Sequence, residues 1–430
     1  MRETPTEKGF EHPLMTTPST LAPVRSTATR GLNLARRLAA SIVRHIMQAI
    51  TFVLEGFGYR LMRAPCVDRV GHLALDFDSY LKENRLLSRR IRPIYLLGDR
   101  GFSRSGTPAN PALMEYWRQY ITIIAPGPLQ WVLTLIRNYG GSFDDLGDYA
   151  FNITKSARAY EVQGKWRGRP PLLALTDAHR ERGQKALREM GLPDGAWFVC
   201  LHAREGGYSP IDEHYHSYRN VDIASYDQAV ATIVSRGGWC IRTGDKSMRP
   251  LAPMPGVIDY ALSPLKSDWL DLYLCASCRF FLGDTSGLFN VAGVFGRMSV
   301  LTNMVPLTGA YSPFPGDIAI PKQMLRDGRP LTLPEGFSRE IGHLRLTAEF
   351  ESHGITFVAN SSEEIAGVVS EAFDRLEGTA VYTAEDEVLQ NRFRALLQPG
   401  HTCFPSSSRI GRDYLRARTD ELLNAKGPKT

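Results

Sequence analysis

The fold is decided by Trp197–Asp245, read as three pieces: Trp197–Gly207 (WFVCLHAREGG), Ser217–Gly238 (SYRNVDIASYDQAVATIVSRGG) and Trp239–Asp245 (WCIRTGD). The first piece is a short apolar strand, Trp197–Leu201, that delivers His202 and Arg204 to its carboxyl end. A helix over Ile223–Ser235 follows, with Ile223, Tyr226, Val230, Ile233 and Val234 on one face. Gly237-Gly238 stops it, and a second apolar strand, Trp239–Thr243, ends at Gly244 and Asp245. Strands alternating with helices predict a parallel sheet. In such sheets ligands bind outside the carboxyl ends of the strands.

Outward from that unit the same alternation continues. Val257–Tyr260 reads as a strand, Asp268–Cys278 as a helix capped by Ser267, and Arg279–Leu282 as a strand. A polar turn, Gly283–Gly287, leads into a helix through Phe295 and a strand at Ser299–Thr302. Ile355–Val358 is a further strand, and Ser361 to Glu364 has capping-box spacing for a helix running to Leu376. Toward the N-terminus, Thr176 caps a helix over Asp177–Met190. Before it, Arg69–Ala74 reads as a strand and Phe77–Leu87 as a helix. Ile94–Leu97 is a strand ending at Gly98 and Asp99, and Asn110-Pro111 opens a helix to Gln119. Tyr120–Ala125 is the next strand and Leu129–Asn138 the next helix; Gly140–Pro171 is irregular and Gly-rich with interspersed aromatics, and its strands have no sequence signal that places them.

The chain has 430 residues, 43% hydrophobic and 22% charged, with a formal charge of +6. That length predicts two or three domains and ample core. The mild basic excess, carried mostly by arginine, fits phosphate or membrane-surface partners or a solvated surface. No compact basic motif or reader module points to nucleic acid. The six cysteines mostly sit in apolar runs. Cys275 and Cys278 have CxxC spacing but no second ligand pair, which favours packing on a helix face in a reduced, cytoplasmic protein. Residues 1–30 have the composition of a disordered segment, and no secretory signal fits. Leu32–Met62 reads as a helix containing Arg36, Arg37, Arg44 and Arg60, with Arg63 just beyond. Arg44 and His45 split its apolar run, making it too short and too charged for an ordinary membrane span. It either lies on an anionic membrane surface or packs on the domain that follows.

Three polar clusters are candidates for chemistry. In the first, His202 and Arg204 suit an anion, since the guanidinium fork matches phosphate. An Arg204–Glu205 surface ion pair beside a core histidine fits the residues equally. In the second, Asp245 and Lys246 suit a nucleoside and a phosphate, or an exposed turn. In the third, Asp284, Thr285 and Ser286 suit an anion at a helix start or a plain N-cap. Three such clusters at three strand ends of one domain favour a phosphate-bearing ligand. The absence of GxGxxG, GxxxxGK[ST] and GxSxG argues against nicotinamide dehydrogenases, phosphate-loop NTPases and common serine hydrolases. Asp76-Phe-Asp78 has DxD spacing but falls at a helix start, where acidic residues complement the dipole.

Several stretches together resemble a family of bacterial glycosyltransferases encoded with surface-polysaccharide genes. They are Val70-Gly71-His72-Leu73-Ala74, Leu201–Glu205, His216–Asp222, Gly238–Asp245, Lys266–Asp271, Cys278–Gly283 and Ile320-Pro321-Lys322. More distantly, the three clusters resemble those of fucosyltransferase-type enzymes. The resemblance implies an α/β, GT-B-like fold with two Rossmann-like domains whose parallel sheets face across a cleft, plus an N-terminal helical arm. The expected division is an arm at 1–64, an acceptor domain at 65–175 and a linker helix at 176–195. A donor domain at 196–376 and a C-terminal helix and tail at 377–430 complete it.

It further implies metal-independent transfer of a sugar from a nucleoside-diphosphate sugar, with no cofactor, to a glycan or lipid-linked acceptor. By that resemblance Arg204 neutralises the departing diphosphate and His202 assists. Glu205 and His72 are base and acceptor-side candidates, His72 being placed at its strand's end. Asp245 meets the nucleoside. Arg219, Asn220, Gly244, Lys246, Asp284, Thr285, Ser286 and Gly287 also belong to the donor side. A nucleotide-sugar 2-epimerase and a non-catalytic nucleotide-sugar-binding protein are the alternatives of the same fold.

Overall fold

The computed structural model describes residues 27–98, 106–150, 157–208 and 210–424. Two parallel sheets dominate it. The first contains β1 (Tyr59–Arg63), β2 (Arg92–Leu96), β3 (Thr122–Ile124) and β4 (Asp144–Asp145), in the order β3-β2-β1-β4. The second contains β5 (Phe198–His202), β6 (Trp239–Arg242), β7 (Val257–Ile258), β8 (Phe281–Gly283), β9 (Ser299–Met304) and β10 (Ile318–Pro321). A short antiparallel sheet is formed by β11 (Gln323–Arg326), β12 (Arg329–Pro330) and β13 (Ile355–Val358). The last strand, β14 (Arg409–Ile410), joins the second sheet, whose order is β14-β10-β9-β8-β5-β6-β7.

Counted from its own first strand, the second sheet runs 3-2-1-4-5-6 before its last edge strand, the doubly wound order. The chain reverses direction across the sheet between β5 and β8. The first sheet repeats the start of that order, with its reversal between β1 and β4. The expected α/β class with two parallel sheets and a helical N-terminus is what the structure shows.

The helices that matter for the site are α1 (Thr27–Gly56), α2 (Val70–Leu86), α3 (Pro111–Trp117), α4 (Pro128–Tyr139), α5 (Arg158–Trp166) and α6 (Asp177–Glu189). They continue with α7 (Pro210–His216), α8 (Asp227–Ser235), α9 (Asp268–Ser277) and α10 (Leu288–Val294). Capping follows the side-chain chemistry: Leu113 N donates to Asn110 Oδ1, His179 N to Thr176 Oγ1 and Leu270 N to Ser267 Oγ. Ser361 and Glu364 form a full capping box for the helix Ser362–Glu377.

Four expectations are corrected. The arm helix ends at Gly56, not Met62, because Gly58 takes a left-handed φ of 81°. The next five residues are β1, the first strand of the first sheet, with Leu61 and Met62 buried. Arg69–Ala74 is not a strand: Val70–Ala74 opens the helix α2. A short apolar run fits a buried helix as well as a strand, and Leu73, Ala74, Leu75, Phe77 and Leu81 all enter the core from this helix. The arm is also not too short to span: Leu34–Gly56 is 23 residues long and contains a stretch of mean hydropathy 1.3, enough by length and composition to cross a membrane. Finally, Gly140–Pro171 contains β4 and α5. The expected disordered segment through residue 30 lies mostly outside the described residues, as does Asp99; residues 27–30 are helical.

Candidate functional site

The second sheet's reversal point, between β5 and β8, is where the chemistry collects. His202 pairs in register with Gly283, and Leu201 with Arg242. The loops after β5, β6 and β8 therefore leave the sheet side by side. Crevices of this kind, at a switch in strand order, are where doubly wound sheets hold ligands.

His202 is buried, and its Nδ1 donates to Thr243 O at 3.0 Å. A carbonyl can only accept, so Nδ1 carries a proton and Nε2 is the ring nitrogen left for a ligand. Two residues on, Arg204 is held at three points. Its N–H donates to Asp284 Oδ2 at 2.6 Å, and its carbonyl accepts from Val221 N at 3.0 Å. Its Nε donates to Asn220 Oδ1 at 3.3 Å. Asn220 in turn donates through Nδ2 to both Glu213 oxygens, at 2.9 and 3.1 Å. The first and third clusters are thus joined by the Arg204–Asp284 bond.

Asp284 is fully buried, and burial pushes its pKa up; His202, Arg204 and Lys322 only partly offset this. It is therefore the support under the Arg204 loop rather than part of a lining. Thr285 is similarly engaged: Val305 N donates to its Oγ1 at 3.3 Å. Ser286 N donates to Asp284 O at 2.7 Å, while the Ser286 hydroxyl is buried without a partner among the described residues. Gly287 is a contact point. A Cβ there would stand 2.8 Å from Gly71 N, and one on Gly71 would stand 3.0 Å from Gly287 Cα. The GHLA segment at the start of α2 therefore rests directly on the Gly283–Gly287 turn, and only glycine permits that approach.

Glu205 does not pair with Arg204. Its Oε1 accepts from Arg242 Nη2 at 2.7 Å, and its Oε2 accepts from Arg249 N at 3.1 Å. Arg242 is completely buried and also reaches Asp259 and Arg249 O. This network ties the loop after β5 to the loop after β6. Asp245 caps its own turn, accepting from Ser247 N at 2.8 Å; Lys246 beside it is exposed, and Gly244 is half-buried. Arg219 stacks on Tyr218, 5.6 Å from the ring centre. A cavity of about 420 Å³ is lined by Glu205, Gly206, Asn220, Val221, Asp222, Ser247 and Arg249.

One residue at this edge had a motif but no assigned role. Lys322, nearly buried, donates to Tyr218 O at 3.0 Å and Asn220 O at 2.8 Å. Burial lowers its pKa to about 8, with Asp284 opposing that fall. Its position after β10, next to a proline and within the Ile320-Pro321-Lys322 signature, was the only signal. Glu213 and Asp259 carried none.

On the first sheet, His72 lies in the first turn of α2, following β1, not at a strand end. Its Nδ1 is 3.0 Å from Asp76 Oδ2. Burial pulls the His72 pKa down, but the Asp76 carboxylate more than compensates, so the net shift is upward. Asp78 binds Lys82 at 2.7 Å and accepts from Gln163 Nε2 at 2.7 Å. Asp76 and Asp78 are therefore buried, partnered residues in the second and third turns of α2, not dipole-complementing residues at its exposed start.

No protein-family model matches the sequence, and no curated protein matches it. Among solved structures, a glycosyl transferase family 9 protein of Veillonella parvula matches with 12% identity and a TM-score of 0.32, over 56% of this chain and 79% of that one. The dodecameric iron-containing heptosyltransferase TibC of enterotoxigenic E. coli, solved with ADP-D-beta-D-heptose, matches with 12% identity and a TM-score of 0.38, over 74% and 76%. E. coli heptosyltransferase WaaC with ADP matches with 12% identity and a TM-score of 0.30, over 56% and 86%.

Proposed function

We propose that this chain is a GT-B-type glycosyltransferase that binds a nucleoside-diphosphate sugar at the carboxyl ends of β5, β6 and β8. It passes the sugar to a glycan or lipid-linked acceptor in bacterial surface-polysaccharide synthesis, without a bound metal. The observation that carries the reading is the fixing of Arg204 at the reversal point of the second sheet, its main chain and side chain both held by partners. The motif resemblance supplies the reaction class.

In glycosyl transfer the leaving diphosphate gains charge in the transition state. A guanidinium already oriented for it needs no reorganisation when that charge appears, which is the condition for stabilising the transition state more than the ground state. Asp284 and Asn220 supply that orientation. His202 Nε2 is the ring nitrogen that remains to hydrogen-bond the ligand. With Glu205 committed to Arg242, His72 is the remaining candidate on the acceptor side, one residue from the Gly71–Gly287 contact. The domains keep the roles proposed from the sequence, acceptor first and donor second, with β1 added to the first.

A thermal-shift screen against nucleoside diphosphates and their sugars tests this. At least one should raise the melting temperature, and Arg204→Ala should weaken its binding about ten- to hundred-fold, the range for a charge-assisted hydrogen-bond set. Stabilisation by none of them would sink the proposal. Incubation of the stabilising sugar nucleotide without acceptor separates transfer from 2-epimerisation, because only an epimerase converts it unaided.

A further inference from the structure

The apolar surface of the molecule is concentrated on two neighbouring helices. On α1, Leu38, Ile42, Ile46, Ile50, Val53 and, just past the helix end, Phe57 stand exposed at helical spacing. Phe52 is 79% exposed and Phe57 71%. On α4, which packs against α1, Leu129, Val132 and Trp131 are exposed, Trp131 by 65%. Contiguous exposed surface of this kind marks an interaction face.

Charge says what covers it. Arg30, Arg36, Arg37 and Arg44 lie within α1, whose one acidic residue is Glu55, bound to Arg60. No acidic residue occurs in α4, whose one cation, Arg137, is buried. A second copy would bring the arginines of one α1 against those of another, whereas an anionic lipid surface complements them. Arg37 and Arg44, seven residues apart, share a side of α1 away from the Ile42, Ile46 and Val53 stripe. This is the division of an interfacial helix, apolar face down and cations toward the headgroups. Tryptophan is the side chain favoured at that depth.

The attachment of α1 decides between lying and spanning. Met47 and Leu54 pack on the cluster of Leu61, Ile94, Leu96, Leu133 and Ile136. Thr51 closes on Gly140 with no room for a Cβ, and Ser142 Oγ donates to Glu55 Oε1 at 2.7 Å. These residues lie within Leu34–Gly56, so a span would have to strip them from the first sheet.

We infer that α1 and α4 together form one membrane-docking face, which seats the protein flat on an anionic bilayer with α1 in the interface plane. This is independent of the donor-site reading. It gives the first sheet, proposed to serve the acceptor, a fixed relation to the lipid surface.

The test uses the full chain and vesicles of phosphatidylcholine with or without phosphatidylglycerol. Binding should require phosphatidylglycerol, weaken with salt, and be released by alkaline carbonate. Arg37→Gln and Arg44→Gln should each weaken it roughly five-fold, and Trp131→Ser roughly ten-fold. The arginines and Trp131 lie on different helices, so misfolding of one variant leaves the other to decide. Nucleotide binding in solution should be the same in all three, which keeps this result separate from the donor test. Equal binding by every variant, or no binding to anionic vesicles, overturns the inference. Resistance to carbonate would make α1 a span. A dimer that Trp131→Ser dissolves, with no vesicle binding, would assign the face to a second copy.

Discussion

The carboxyl ends of the two parallel sheets are built differently. At the second sheet, the polar residues past the strand ends bind one another: Arg204 to Asp284 and Asn220, Glu205 to Arg242, Lys322 to the carbonyls of Tyr218 and Asn220. At the first sheet, two charged pairs lie inside α2, the buried Asp78–Lys82 and the partly exposed His72–Asp76. The first arrangement holds loops in place around an open edge; the second holds a helix in the core. A fixed anion site is expected of an edge that binds a charged donor, and a sparsely furnished edge of one that meets a larger acceptor.

The sharpest way to break that comparison is to remove one buried cation from each side. Arg242→Met leaves Glu205 and Asp259 without their guanidinium, and Lys82→Met leaves Asp78 without its ammonium. Unpairing a buried charge costs about 3–5 kcal/mol, so both should lower stability to urea by similar amounts. Only Arg242→Met should also weaken nucleotide binding, because only it frees the loop that bears Arg204. Equal loss of affinity in both would erase the distinction. The next largest effect should come from Gly287→Ala, whose Cβ meets main chain at Gly71. Overpacking there should cost about 1–3 kcal/mol and move α2 off the Gly283–Gly287 turn, so that acceptor-dependent turnover falls more than donor affinity.

These two edges were also unequally legible. Around β5 and β6 the strands are short, apolar and bounded by glycine, and their boundaries were readable to within a residue or two. The juxtaposition of His202, Arg204 and Asp284 followed from strand order. What was not readable was which of them turn inward. Glu205 and Asp284 carry the same functional groups as binding residues, and only their burial against Arg242 and the Arg204 main chain makes them supports. At the first sheet, Tyr59–Arg63 was hidden because it continues the apolar character of α1 after a single left-handed glycine. Val70–Ala74 has no periodicity long enough to separate strand from helix. Lys322 shows a third limit: its partners are carbonyls more than a hundred residues away, and main-chain acceptors leave no trace in sequence.

A smaller effect sharpens the donor side. Lys322 has its pKa lowered to about 8 by burial. As pH rises through that value it loses the positive charge beside Asp284, so affinity for a nucleoside diphosphate should fall a few-fold above pH 8. Lys322→Met should bind more weakly at neutral pH and show no such limb. Stability has the opposite sign. A lysine whose pKa is lower folded than unfolded makes the native state relatively more stable as pH climbs from about 8 toward the unfolded value. Affinity and urea stability measured on the same samples should therefore diverge across that range in the wild type and not in the variant.

The smallest expected effect belongs to His72, and it bears on the acceptor edge. Asp76 raises the His72 pKa against the pull of burial. A histidine with a raised folded pKa stabilises the protein fully below its unfolded pKa and loses that contribution as pH rises through the folded one. His72→Gln retains a hydrogen-bonding group for Asp76 but cannot titrate. It should flatten the decline in melting temperature across the neutral range while leaving nucleotide affinity unchanged. If His72 only holds Asp76, turnover should survive with the wild-type pH profile. If it meets the acceptor, the acidic limb of turnover should vanish and the acceptor KM should rise, with the donor KM unmoved. The second outcome would place a working group on the first sheet's edge, opposite Arg204; the first would leave that edge a surface for the acceptor to rest on.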